Sequence, residues 1–393
     1  MRCRILTWVG TFLLLVRTST AGAGPMVGDY LSYFNIPKVD AAGNVIPSHT
    51  IKNKLLAYVN GAVAGSEIRG HITTISHSEI TNALKAAYQR GVAVYLVHDG
   101  SGMRVPSSEY PEGYALEQFF GTRHRWCGWG LYYSEYTSCV SSIYGATHHI
   151  KNWYFSNTIV DGKRRRYSTW VTSYNLTKTS DKQFNDAFVV NDNYELYAAY
   201  VKSFVRFYQQ ARSSDFYNVA GRGHHVIPSA NTEISYAPQT TSPGHADYHP
   251  TNDQVAMALS RIDAYEPGCT LAVANLTISE TRWAILDELV RIRALGCKVQ
   301  VAYSQIALGA LFQLWVTGIE LRLAQKPQIH SKMMLYKGRY DGEPGRTFVW
   351  GGSHNWTMNS LRKRDEVFVA ISRLGIYLRY REYFDHIWAV SGR

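Results

Sequence analysis

The chain has 393 residues, 46% of them hydrophobic and 18% charged, with a formal net charge of +11. That length, free of low-complexity tracts, excludes a disordered or fibrous protein and gives one large domain or two similar ones, with a sizeable core. The positive balance favours anionic partners such as phosphodiesters, nucleic acid or anionic lipid surfaces, although only GKRRRY (162–167) is a concentrated basic run, read as a solvated turn.

The first 23 residues read as a removable secretion leader: basic MRCR, the 12-residue apolar run ILTWVGTFLLLV, and small AGA at 21–23. The apolar run is too short to span a bilayer, and no later segment approaches 18 consecutive apolar residues. The expectation is an exported, extracellular, soluble mature chain, whose net charge falls to +8 without Arg2, Arg4 and Arg17. Cys3 leaves with the leader. Four cysteines remain, Cys127, Cys139, Cys269 and Cys297, and an even count in an exported chain suggests two disulfides. Three pairings are possible, of which the local one, Cys127–Cys139 with Cys269–Cys297, is the simplest. No C-x-x-C occurs, so a zinc site is not indicated.

RGHITTIS (69–76) reads as a strand, SEITNALKAAYQR (78–90) as a helix closed by Gly91, and VAVYLVHD (92–99) as a second strand. An aromatic stretch around 100–145 follows, holding Cys127 and Cys139, and is equally a substrate-gripping wall or a structural excursion. HHIKNWYF (148–155) then sets His149 and Lys151 two apart, on one face of a strand-like run. VTSYNLT (171–177), NDAFVV (185–190) and an aromatic helix, YELYAAYVKSFVRFYQQ (194–210), complete this half. Residues 212–250, rich in Ser, Pro, Gly and Asn, read as a linker.

The same order then returns. CTLAVANL is a strand, SETRWAILDELVRIRAL a helix with a Ser cap and an early Glu, Gly296 its stop, and CKVQVAYS the next strand. QIHSKMMLYKG (328–338) carries His330 and Lys332, 181 residues beyond His149 and Lys151. GGSHNWT (351–357) and DEVFVA (365–370) place Ser353, Asn355 and Glu366 each 180 residues beyond Ser173, Asn175 and Asp186. A single His-x-Lys is usually a strand with one wet face, but a repeat in constant register is an internal duplication. The halves are 24–211 and 251–393. Strands alternating with helices predict an α/β fold with a mixed or largely parallel sheet in each half. The halves differ between the glycine and the histidine: 58 residues separate Gly91 from His149, but only 34 separate Gly296 from His330.

Each half thus supplies a His, a Lys, an Asn, a Ser and a carboxylate. Histidine suits nucleophilic attack or proton transfer near neutral pH. Lysine and asparagine donate to the non-bridging oxygens of a phosphoryl group. The set is too rich in lysine for a metal centre, and no G-x-S-x-G marks a serine hydrolase.

H-x-K followed by S-x-N, present twice, resembles the phospholipase D superfamily of phosphodiesterases over most of residues 51–390. The resemblance implies two pseudo-symmetric α/β halves whose motifs meet at their interface. It implies that one histidine, by the usual pattern His149, attacks phosphorus, while His330 acts as acid and base. Lys151, Lys332, Asn175 and Asn355 carry over as phosphate ligands, with Ser173 and Ser353 beside them. Asp186 and Glu366 match carboxylates that orient the imidazole of the opposite half. No cofactor or metal is implied. The family's H-x-K-x4-D is incomplete, because Ser156 and Lys337 stand at the aspartate positions and Thr172 replaces the glycine found at Gly352. The expected activity is phospholipid head-group hydrolysis at a membrane or vesicle surface. The alternatives are an extracellular nuclease or an inactive binder of anionic lipid or nucleic acid. No obligate protein partner is signalled. Sequons at Asn175, Asn275 and Asn355 are read as chance matches, two falling on site residues.

Overall fold

A computed structural model describes residues 28–104, 106–128 and 136–392. The leader expected at 1–23 lies outside the described residues. Among those described, no helix is long and apolar enough to cross a membrane.

Two mixed sheets carry the fold, and their strands follow the same spatial order. In the first, the order is Asp29–Asn35, Asn185–Asn191, Lys163–Thr172, Trp153–Val160, Glu67–Ile72, Ala93–His98 and His124–Trp126. In the second it is Thr232–Ala237, Glu366–Ile371, Glu343–Gly352, Lys332–Tyr340, Thr270–Ile278, Lys298–Ile306 and Glu320–Leu323, with His224–Ile227 added at the outer edge. The last three strands of each series run parallel to one another and the rest are antiparallel. The duplication read from the motifs therefore extends to complete topology.

The stretch expected to be a linker, 212–250, is built into the second sheet, because Thr232–Ala237 pairs residue for residue with Glu366–Ile371. Its sparse aliphatics misled: a strand pairing at the sheet margin needs only short alternation, as in ISYA, where Ile234 and Tyr236 are buried. The basic run 163–166 likewise opens a strand, Lys163–Thr172, turned at Asp161 and Gly162.

Outer faces of the sheets are covered by helices Thr50–Asn60 and Ser78–Gln89 in one half, and Gln254–Ser260 and Trp283–Ala294 in the other. The inner faces meet in one central core. Val171 and Phe188 from the first sheet join Leu335 and Val349 from the second, with both aromatic helices, Tyr194–Tyr208 and Leu374–Val390, contributing Phe204, Phe207, Tyr380 and Phe384. The first of these helices is capped by Asn193, whose side chain accepts from Leu196 N–H at 2.9 Å, a device worth about 1 kcal/mol. Cys127–Cys139 and Cys269–Cys297 are both disulfide-bonded. The second ties the start of strand Thr270–Ile278 to the turn after helix Trp283–Ala294.

Candidate active site

His149 and His330 do not sit within strands. Each lies just ahead of one, Trp153–Val160 and Lys332–Tyr340, in backbone that crosses to the other half. His149 N–H donates to Asp365 O at 2.9 Å, and His330 N–H donates to Phe184 O at 2.8 Å. The histidines are therefore held at the junction by the opposite half, which explains why alternation along a strand does not describe them. Lys151 Nζ donates to His149 O at 2.6 Å and Lys332 Nζ to His330 O at 2.5 Å, so each lysine folds back on its own histidine.

The two rings have different Nδ1 partners. His149 Nδ1 lies 2.9 and 3.0 Å from the carboxylate oxygens of Glu366. His330 Nδ1 lies 3.0 Å from Ser173 O and 2.9 Å from Asn185 Oδ1. The residue facing His330 is thus Asn185, where Asp186 was expected. Asn185 is the structural match of Glu366, because Ser173 N–H donates to Asp186 O where Ser353 N–H donates to Val367 O; Asp186, one residue on, accepts from Ser173 Oγ (2.9 Å) and Tyr380 Oη (3.1 Å). Ser353 matches Ser173 by donating to Glu366. In both rings Nδ1–H is a donor, which leaves Nε2 as the atom able to attack or to carry a moving proton.

Burial dominates the electrostatics. It drives both imidazoles well below their usual pKa, helped at His149 by Lys151, Arg364 and Lys332, and at His330 by Lys332, Lys151 and His149. Burial also lowers Lys151 strongly and brings Lys332 down to about 7, while it pushes Asp186 up. Groups that shift one another in this way form one cluster, and its surplus of cationic groups suits an anion. The side-chain amide oxygens of Asn175 and Asn355 are buried with no hydrogen-bond partner in either half.

The departures from the family pattern have local explanations. Ser156 accepts from Glu67 N–H at 2.8 Å and Lys337 is exposed, so both stand away from the histidines. Gly352 adopts φ +135°, and a Cβ there would lie 2.2 Å from Val367 O. Thr172 needs no such freedom and donates through Oγ1 to Asp186 O at 2.7 Å. Asn275 and Asn355 are buried, as is half of Asn175, so no sequon is openly presented.

Several residues escaped sequence reasoning. Arg282, fully buried, donates to Asp253 (Nε to Oδ2, 2.8 Å), meets His354 Nδ1 at 3.0 Å and donates to Asn355 O at 3.2 Å, fixing the asparagine loop. These partners are 29, 72 and 73 residues away, and no spacing rule links them. In the first half His77, Asp181 and Tyr174 hold the equivalent loop, with Tyr174 Oη donating to Asp181 at 2.7 Å. Arg364, adjacent to the Asp-Glu doublet, and Asn185 were also missed. Among the described residues the one cluster of potential metal ligands is Cys127, Cys139 and His148, and its two sulfurs are bonded to each other.

A family model described as cardiolipin synthase, PLD-like domain, matches residues 262–388. No curated protein sequence matches the chain. Among solved structures, phosphatidylserine synthase from Haemophilus influenzae Rd KW20 superposes with a TM-score of 0.56 at 10% identity, over 87% of this chain and 84% of that one. Polyphosphate kinase from Porphyromonas gingivalis gives 0.54 at 15% identity, over 91% of this chain, which spans only 50% of the kinase. At such identities the superpositions speak for the two-sheet fold, and the family match speaks for the second half. The second half is thus similar to the phospholipase D-like domain, and the whole chain shares the two-sheet fold of these structures, with its two His-x-Lys pairs at the junction of the halves.

Proposed function

We propose that the chain is an exported phospholipase D-type phosphodiesterase that cleaves the head-group ester of phospholipids through a phosphohistidine. The observation that carries this reading is the unequal pairing of two histidines that otherwise share one design. The His149 ring, backed by the Glu366 carboxylate, is the better nucleophile, because a developing imidazolium is stabilised by that charge. His149 Nε2 attacks phosphorus and the bond to the leaving alcohol breaks. His330, held by a neutral amide and a carbonyl, passes the Nε2 proton to the departing oxygen. Its neutral ring then takes a proton from water, or from another alcohol, as that oxygen attacks the phosphohistidine and frees His149. Lys151, Lys332 and the two asparagines neutralise the charge building on the non-bridging oxygens.

A groove of about 660 Å³ supports lipid over nucleic acid as substrate. Tyr303, Leu308, Phe312, Trp315, Leu321 and Trp388 line it. Leu308, Phe312 and Trp315 are 79%, 62% and 67% exposed, an unusual display for about two turns of helix and one that suits an acyl chain. Tyr303 is followed in its strand by Ser304, which accepts at 2.8 Å from the N–H of Ile329, the residue before His330. Purified mature chain should release head group from phosphatidylcholine vesicles in EDTA and leave plasmid DNA intact. Cleavage of DNA with no action on vesicles would overturn the lipid reading and retain the chemistry.

A further inference from the structure

The residue before His149 makes a second crossing that the mechanism above does not use. His148 Nδ1 donates to Asp365 Oδ2 at 2.9 Å, both side chains being fully buried. The same carboxylate accepts from the backbone N–H groups of Cys139 at 2.6 Å, Val140 at 3.2 Å and Ser141 at 2.9 Å. Three convergent N–H groups make an anion nest, which a buried carboxylate needs if it is to keep its charge. His148 is, among the described residues, the only ion-pair partner of Asp365.

The main chain of Asp365 grips the same place. Its N–H donates to Thr147 O at 3.0 Å and its O accepts from His149 N–H at 2.9 Å. One residue thus holds Thr147, His148 and His149 through backbone and side chain together, while Glu366 holds the His149 ring. The nest starts at Cys139, the residue that closes the Cys127–Cys139 loop, in the insertion that the second half lacks. At the corresponding positions of the other crossing stand Ile329 and Phe184, bridged as His148 and Asp365 are, and both are apolar. The anchoring carboxylate therefore exists only on the His149 side.

We infer that Asp365 is a positioning residue: seated in the nest at the end of the disulfide-closed loop, it fixes the backbone that aims His149 at phosphorus, and the Cys127–Cys139 bond acts on catalysis through it. The inference rests on the reading of His149 as nucleophile. Misplacing a reacting atom by about 1 Å costs on the order of 10²-fold in rate, whereas ground-state binding by lysines and asparagines is spared. This asymmetry between kcat and KM separates aiming from general destabilisation.

The test uses the intact mature chain and bis(p-nitrophenyl) phosphate, a soluble diester. Asp365→Asn should lower kcat about 10²-fold with KM changed less than about 3-fold. Cys127→Ser with Cys139→Ser should also lower kcat, and adding Asp365→Asn to that pair should go no lower than Asp365→Asn alone. Wild-type kcat in folded Asp365→Asn, additive losses in the combined variant, or losses that track the folded fraction would each overturn the inference. Should Asp365→Asn fail to fold, the cysteine pair decides alone: an unchanged kcat in folded protein overturns it. His149→Ala keeps the two levels apart. Loss of cleavage there upholds the nucleophile whatever Asp365 does, and a wild-type chain inert to the diester overturns both.

Discussion

Glu366 holds the ring of His149 at 2.9 Å, whereas its structural counterpart Asn185 holds that of His330 through a neutral amide oxygen, also at 2.9 Å. One carboxylate therefore polarises one imidazole, and the two histidines of a duplicated site are chemically unequal. Glu366→Gln should keep the hydrogen bond and remove the charge, lowering kcat about 10²–10⁴-fold. Asn185→Ala removes only a neutral acceptor and should cost much less. Equal losses in steady-state assays of the two variants would contradict the assignment.

The same inequality predicts where phosphorus stops. In His330→Asn, a substrate with a good leaving group, such as a p-nitrophenyl diester, needs little protonation and should still react once. Intact-mass analysis of quenched reactions should show an adduct on the peptide around His149. An adduct on the peptide containing residue 330 of a His149 variant alone would reverse the roles.

Anion binding should carry protons with it. With Lys332 near 7 and both histidines lower still, the empty site is short of protons at neutral pH, and a phosphate mimic stabilises the charged forms. Calorimetry of tungstate binding at pH 7.5 in buffers of different ionisation enthalpy should report net proton uptake, with affinity falling as pH rises. Proton release would contradict the cluster described here.

Lys332 should weaken the fold that it serves. Its pKa near 7 in the folded chain lies below the ordinary 10.5, so the unfolded chain binds more protons between those values. Stability from this group therefore rises with pH across that window and is lowest below it. Lys332→Met should raise Tm by a few degrees at pH 6.5, raise it less at pH 8.5, and abolish turnover. A gain independent of pH would exclude the charge as its cause.

Activity should survive chelators, because lysine, asparagine and histidine can meet the phosphoryl charge without a cation. EDTA inhibition of soluble-diester cleavage, relieved by added Mg²⁺ or Zn²⁺, would contradict this.

Much of this architecture was legible because it is written as repetition. Helix signals at 78–90 and 279–295, and the constant offset linking His149 to His330, map directly onto two sheets whose seven common strands follow one order. What stayed hidden depends on side chains meeting across large separations. Arg282 finds Asp253 and His354, and Asp365 finds Cys139–Ser141, with 224 to 226 residues between them in the latter case. The doublets His148–His149 and Asp365–Glu366 were a usable signal, since two adjacent histidines facing two adjacent carboxylates imply paired crossings. Asn185 was missed in favour of Asp186 because the 180-residue offset of Ser173 and Asn175 does not hold on the next strand, where Ala187 pairs with Thr172 as Phe368 pairs with Gly352, an offset of 181.

The backbone crossings at His149 and His330 bear on how such a chain can have come about. Two separate copies of one half could reproduce both crossings, but symmetry would oblige each copy to present the same residue to its neighbour's histidine. Neither Glu366 against one ring and Asn185 against the other, nor a disulfide loop on one side alone, is open to such a pair. Joining the copies end to end lifts that obligation, and from then on each histidine can be altered without altering its twin. The single covalent chain is thus what permits a division of labour inside a site whose outline is still that of two equals.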